Sequence, residues 1–226
     1  MNEGMKTMNR WELAGTVASL LLVLTFVSYE GAFVVRSVFR HLDAYVWCLA
    51  GVALYVVAER LGRWKNLDFL QVHAHEWAHA WVSLLFFRKV HSLEANTREG
   101  QMYYTPGRYG NLFIVLAPYC LPYLTYLCLF VRCFVQPSYC WLFDVLAGGS
   151  LAFHVACFYR QTHPQQPDLR CCPLAVSYLF IWTFRLFNLL VILLCFLPKQ
   201  GRCYNLGGAL GYLWDNLWRD LGRLMG

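Results

Sequence analysis

The chain has 226 residues, 58% hydrophobic and only 14% charged, with a net charge of +6. Soluble domains average about 45–50% apolar and ~25% charged, so this composition excludes a disordered chain and argues against an ordinary soluble domain. The basic residues stand singly between apolar runs, as in membrane loops, and no Lys/Arg-rich block points to nucleic acid.

The first apolar run, Leu13 to Val35, follows Lys6 and Arg10 and is broken only by Glu30. It is long for a signal-peptide core and lacks a clean small-x-small cleavage site, so it reads as a retained helix over 13–35. A second span covers 44–59, with Tyr45 and Trp47 at one interface and Glu59, Arg60 and Arg63 at the other. A third, 67–87, carries His73, His75, Glu76 and His79 in its first half. A hydropathy window demotes it for those residues, and polar groups at membrane depth point to function.

Residues 88–110 are polar and contain glycine. Two short runs flank Asn96-Thr97-Arg98-Glu99-Gly100, which predicts a strand, a turn and a strand. The fourth span, 111–131, holds Pro118 and Pro122 four apart on one face, which should kink it and free carbonyls there. The fifth covers 139–159 with Asp144 and His154, and the sixth 173–197 with Arg185 and Asn188 on one face. Those two are expected to face the bundle interior and to pair with Glu30 or Asp144. Residues 206–225 space Leu210, Leu213, Trp214, Leu217, Trp218 and Leu221 as an amphipathic helix on the membrane surface. The expected fold class is an all-α polytopic membrane protein of about six transmembrane helices in a single domain, residues 1–226, with a small hairpin and that surface helix.

Cysteine chemistry adds little. Of 10 cysteines, Cys48, Cys120, Cys128, Cys157 and Cys195 lie in apolar runs and read as small buried hydrophobes. No paired CxxC suggests a thiolate zinc site. Cys171 and Cys172 are adjacent, too close to bridge without strain.

His75-Glu76-Trp77-Ala78-His79 is an HExxH motif. On a helix, residues four apart share a face, so the two imidazoles can hold one zinc ion and Glu76 can reach a metal-bound water as general base. His73 lies roughly 200° round the helix from His75 and faces away. A catalytic zinc usually takes three protein ligands. Asp168, His154, Asp144 and His163 are the candidates for the third. The soluble metzincin pattern is excluded, because the residues after His79 stay apolar as far as Arg88.

A membrane-embedded HExxH, a hairpin-like segment, a proline-bearing span and a later Asp resemble the site-2 protease clan of intramembrane zinc metalloproteases. Ala117-Pro118-Tyr119 resembles that family's Gly/Ala-Pro element, and Gln166-Pro167-Asp168-Leu169 stands where the family places its Asp motif. Here Leu169 and Arg170 follow Asp168, which falls between two expected spans. The resemblance implies a site-2-protease-like helical core, with zinc held by His75, His79 and Asp168 and Glu76 as catalytic base. It implies a membrane protein or peptide as substrate, and zinc nearer the cytoplasmic face with the hairpin on that side. Basic residues divide nearly evenly between the two sets of loops, so charge alone does not orient the chain.

The expected activity is therefore a zinc metalloendopeptidase, a multi-pass protein of the bilayer whose compact build suggests a bacterial cytoplasmic membrane. The rival reading is a catalytically inactive scaffold or metal-binding protein on the same fold. A prenyl-protein protease, which needs a later Glu ligand, is disfavoured because no Glu follows Glu99.

Overall fold

The computed structural model describes residues 9–62, 67–95, 100–105, 111–199, 202–203 and 205–225. Helix α1 (Arg10–Arg40) opens on a reciprocal cap: the Glu12 N–H donates to Asn9 Oδ1 at 2.8 Å, and the Asn9 N–H to Glu12 Oε2 at 2.9 Å. Each side chain satisfies an amide that the first turn leaves free. A 3-10 turn (Leu42–Tyr45) leads into α2 (Val46–Arg60).

Helix α3 (Leu67–Leu85) ends in a left-handed residue, Phe87, at φ 55°. The Arg88 N–H donates to the Ser83 carbonyl and the Phe87 N–H to that of Leu84. This Schellman pattern stops the helix and turns the chain into a hairpin. Strands β1 (Val90–Ala95) and β2 (Gly100–Tyr104) pair antiparallel, with an irregularity between Val90 and Ser92. Apart from Gly100, the expected Asn96–Gly100 turn lies outside the described residues.

The expected fourth span is two helices, α4 (Asn111–Cys120) and α5 (Tyr123–Arg132), separated at Leu121 and Pro122. Two missing amide hydrogens four residues apart leave too few backbone bonds to carry one helix through. Helices α6 (Cys140–Gln161) and α7 (Leu174–Phe196) follow, then a two-residue ladder of β3 (Pro198–Lys199) and β4 (Arg202–Cys203), and α8 (Leu206–Met225).

Four stretches are long and apolar enough to cross a membrane: Arg10–Arg40, Leu42–Arg60, Pro137–Gln161 and Leu174–Phe196. The broken α4–α5 pair makes a fifth if it is one span. This measure does not reach six, because α3 carries the polar HExxH face. The protein is mostly helical, and its apolar helices make it an integral membrane protein.

The described chain falls into two compact units. One comprises Met1–Leu20, Ala58–Leu121 and His154–Arg185; the other Leu21–Val57, Pro122–Phe153 and Leu186–Gly226. In the first, α3 packs on α4 and on both strands, and α4 packs on a 3-10 turn, Asp168–Arg170. Its core gathers Leu116, Tyr119, Leu169, Phe180 and Ile181, with a smaller cluster of Val82, Tyr104, Ile114 and Ala117.

The second unit centres on Val34, Ala147, Val191, Ile192 and Phe196, and on Ala209 and Leu213 of α8. Trp214 and Trp218 of α8 stay on the exposed side, as an interfacial helix requires. Backbones of α2 and α6 touch here. A Cβ on Gly51 would sit 1.9 Å from the Val145 carbonyl oxygen, and one on Gly148 1.9 Å from that of Cys48. Only glycine permits such an approach.

Candidate metal centre

The centre is built on α3. One helical turn separates His75 from His79, and their rings meet edge to face with centroids 4.9 Å apart. Both turn toward Asp168, whose Oδ2 lies 3.3 Å from His75 Nε2 and 3.4 Å from His79 Nε2. One ligand atom from each of the three residues falls within 4.8 Å of the others. Among the described residues, no other three His, Cys, Asp or Glu side chains meet this way.

Other groups fix which nitrogen faces inward. His79 Nδ1 donates to the Ile114 carbonyl at 2.8 Å, and His75 Nδ1 to Gln161 Oε1 at 3.1 Å. Donation from Nδ1 leaves Nε2 with its lone pair free in both rings, the usual outer-shell arrangement of a metal-binding histidine. The Ile114 carbonyl is available for a reason legible in the chain. Its helical partner would be the amide of residue 118, and Pro118 has no N–H. The proline of the Ala117-Pro118 pair therefore exposes the acceptor that orients His79.

Tyr119 adds two contacts from the same helix. Its hydroxyl donates to Asp168 Oδ2 at 3.3 Å, and its ring stands edge-on to His75 at 5.2 Å. Asp168 sits in its 3-10 turn, anchored by the fully buried Leu169. Burial raises the Asp168 carboxyl, but with a proton on the facing Nε2 atoms the hydrogen bonds from His75 and His79 outweigh it and hold the group well below the usual carboxylate range. Two imidazole lone pairs and a carboxylate oxygen this close repel unless a cation, proton or metal, stands between them. Two nitrogens and an oxygen, backed by oriented partners, suit zinc with its fourth position open.

Glu76, buried at 6% exposure, leaves α3 beside this cluster and lies against the start of β2. A Cβ on Gly100 would fall 2.6 Å from Glu76 Oε1, so glycine there gives the carboxylate its room. His73 faces elsewhere: it accepts from Trp77 Nε1 at 2.8 Å and stacks on Phe69.

The other third-ligand candidates stand apart from the cluster. Asp144 pairs with Arg132 Nε at 2.7 Å in the second unit, and neither His154 nor His163 joins the group. The expected pairing of Arg185 and Asn188 with Glu30 or Asp144 is corrected. Arg185 donates to the Tyr119 carbonyl at 3.2 Å and lies over the Phe158 ring. Asn188 accepts from the Tyr126 hydroxyl, and Glu30 accepts from Asn216 at 2.8 Å. The break after Cys120 strips the Tyr119 carbonyl of its helical partner, so the cation serves a helix end instead of a carboxylate. Gln161, the Ile114 carbonyl, the Tyr119 hydroxyl and Gly100 had escaped the sequence reading. Only Ile114 carried a signal, four residues before a proline.

Ligands gathered this way in a chain of apolar helices belong to a metallopeptidase of the membrane. Residues 46–197 match the family model described as Peptidase M50B-like; the chain belongs to that family, and so to the site-2 protease clan. No curated protein and no solved structure matches it.

Proposed function

We propose that the protein is a zinc-dependent intramembrane endopeptidase cleaving membrane-embedded or membrane-anchored polypeptides. His75 Nε2, His79 Nε2 and an Asp168 carboxylate oxygen hold the metal, and Glu76 is the general base. The observation that carries this reading is the convergence of three acceptor atoms within 4.8 Å, beside a buried glutamate on the same helix. Zinc bound there supplies Lewis acidity and brings the pKa of a coordinated water down toward ~7.

The chain's own groups do the rest. Glu76 takes a proton from the attacking water at a carboxylate oxygen and delivers it to the leaving amine. Ile114 and Gln161 keep each Nε2 aimed at the metal position, and Tyr119 steadies Asp168. The second strand of the hairpin, β2, begins at Gly100, against Glu76, so an extended substrate can add as a strand beside the base. A proline at Tyr103 that left cleavage untouched would count against that docking mode.

The deciding experiment pairs elemental analysis with cleavage of a reconstituted single-span substrate. Wild type should carry stoichiometric zinc and cut. Glu76→Gln should keep the zinc and not cut, and His75→Ala should do neither. Full activity in Glu76→Gln removes the base, and metal-free active wild type removes the mechanism.

A further inference from the structure

Three and four residues past Asp168 stand two thiols for which the proposed chemistry has no use. Cys171 and Cys172 are half-buried, and no other two described cysteines are adjacent. Both sit on the link between the Asp168 turn and α7, tied to each end of it. The Cys171 N–H donates to the Asp168 carbonyl at 3.2 Å. Cys172 Sγ lies 3.1 Å from Ser177 Oγ, and the Ser177 hydroxyl donates to the Leu169 carbonyl at 2.8 Å. Ser177 is fully buried in the first turns of α7. Thiol, hydroxyl and carbonyl thus form one relay that pins the turn to the helix, and the link is short enough that moving Cys172 moves the turn.

We propose that Cys171 and Cys172 form an oxidisable dithiol, a modification site for hydrogen peroxide, whose closure to a disulfide releases the turn that carries Asp168. The Cys172 sulfur attacks one peroxide oxygen. An S–O bond forms, the O–O bond breaks, and the departing oxygen leaves as water with the thiol proton. The Cys171 sulfur then displaces the hydroxyl from the sulfenic acid, forming the S–S bond and a second water. The two thiols lose two electrons, and the peroxide gains them.

The geometry makes the product both disruptive and reversible. Neighbouring Cα atoms are about 3.8 Å apart, below the ~4.4–6.8 Å that a relaxed disulfide prefers. Closure must therefore draw Cys172 Sγ off Ser177 and twist the link. Strain of this kind also makes the bond easy to reduce. The effect on metal affinity rests on the ligand assignment proposed above; the thiol chemistry and the loosening of the turn do not.

The test uses the full chain in detergent, treated with hydrogen peroxide, alkylated and digested, with hydrogen exchange followed over residues 168–177. The expected peptide is two hydrogens lighter at Cys171–Cys172 and unalkylated. Exchange at the turn should be at least tenfold faster, and dithiothreitol should reverse both. Cys172→Ser should abolish the mass change. Ser177→Ala should loosen the turn without oxidant. Thiols that stay alkylatable after peroxide overturn the proposal, as does a disulfide that leaves exchange unchanged. A wild type that shows both changes yet cleaves no substrate defeats the proposed function while supporting this inference.

Discussion

The two units bury polar groups in different ways. In the second, each has an opposite number: Arg132 with Asp144, Asn216 with Glu30, Tyr126 with Asn188, and Thr125 with Ser150 at 3.0 Å. Donor meets acceptor and charge meets countercharge, so the desolvation cost is offset inside the chain. In the first, three side chains turn acceptor atoms onto one point, while a carbonyl and an amide oxygen accept from the two imidazoles behind. Groups that complete each other are structural. Groups that converge without completing each other await a cation.

The sharpest way to break that contrast is His79→Ala, which should abolish both zinc binding and cleavage while leaving the melting temperature of the metal-free protein nearly unchanged. Elemental analysis and calorimetry check it together. The mirror experiment is Asp144→Leu. It takes the carboxylate from the buried Arg132, which keeps its bond to the Cys195 carbonyl, and should cost about 3–5 kcal/mol of stability, yet zinc affinity in the folded fraction should not move. A large loss of affinity there would blur the distinction between the units.

Smaller changes probe the backing groups. Gln161→Leu should weaken zinc about 10–100-fold, the usual effect of removing an outer-shell partner, read by competition with a chromogenic chelator. Gly100→Ala should lower kcat with zinc retained, because the new methyl competes with Glu76 for space. Tyr119→Phe should do least. It removes one 3.3 Å hydrogen bond, worth about 1 kcal/mol, and should shift zinc affinity by about fivefold.

How much of this was legible in the sequence differs from residue to residue. His75, Glu76 and His79 could be read directly, because a helix turns any spacing of four into a shared face. The strands of the hairpin could be read from their runs, and the disruption near Pro118 and Pro122 from chemistry local to each proline. Asp168 was reached by resemblance, since it lies 89 positions beyond His79 and nothing in its own neighbourhood marks it as a ligand. The pairing of Arg185 was misread. Charge complementarity proposed a carboxylate, whereas a broken helix end supplied a carbonyl.

The sequence by itself therefore determined what local geometry dictates: apolar runs of membrane length, the HExxH face of α3, a kink at Pro118 and Pro122, and the amphipathic α8. Tertiary structure alone decided which acid meets those imidazoles, which carbonyl and amide orient them, and which buried charges find partners. Those choices depend on distances between segments remote in the chain, and no local rule of spacing sets them.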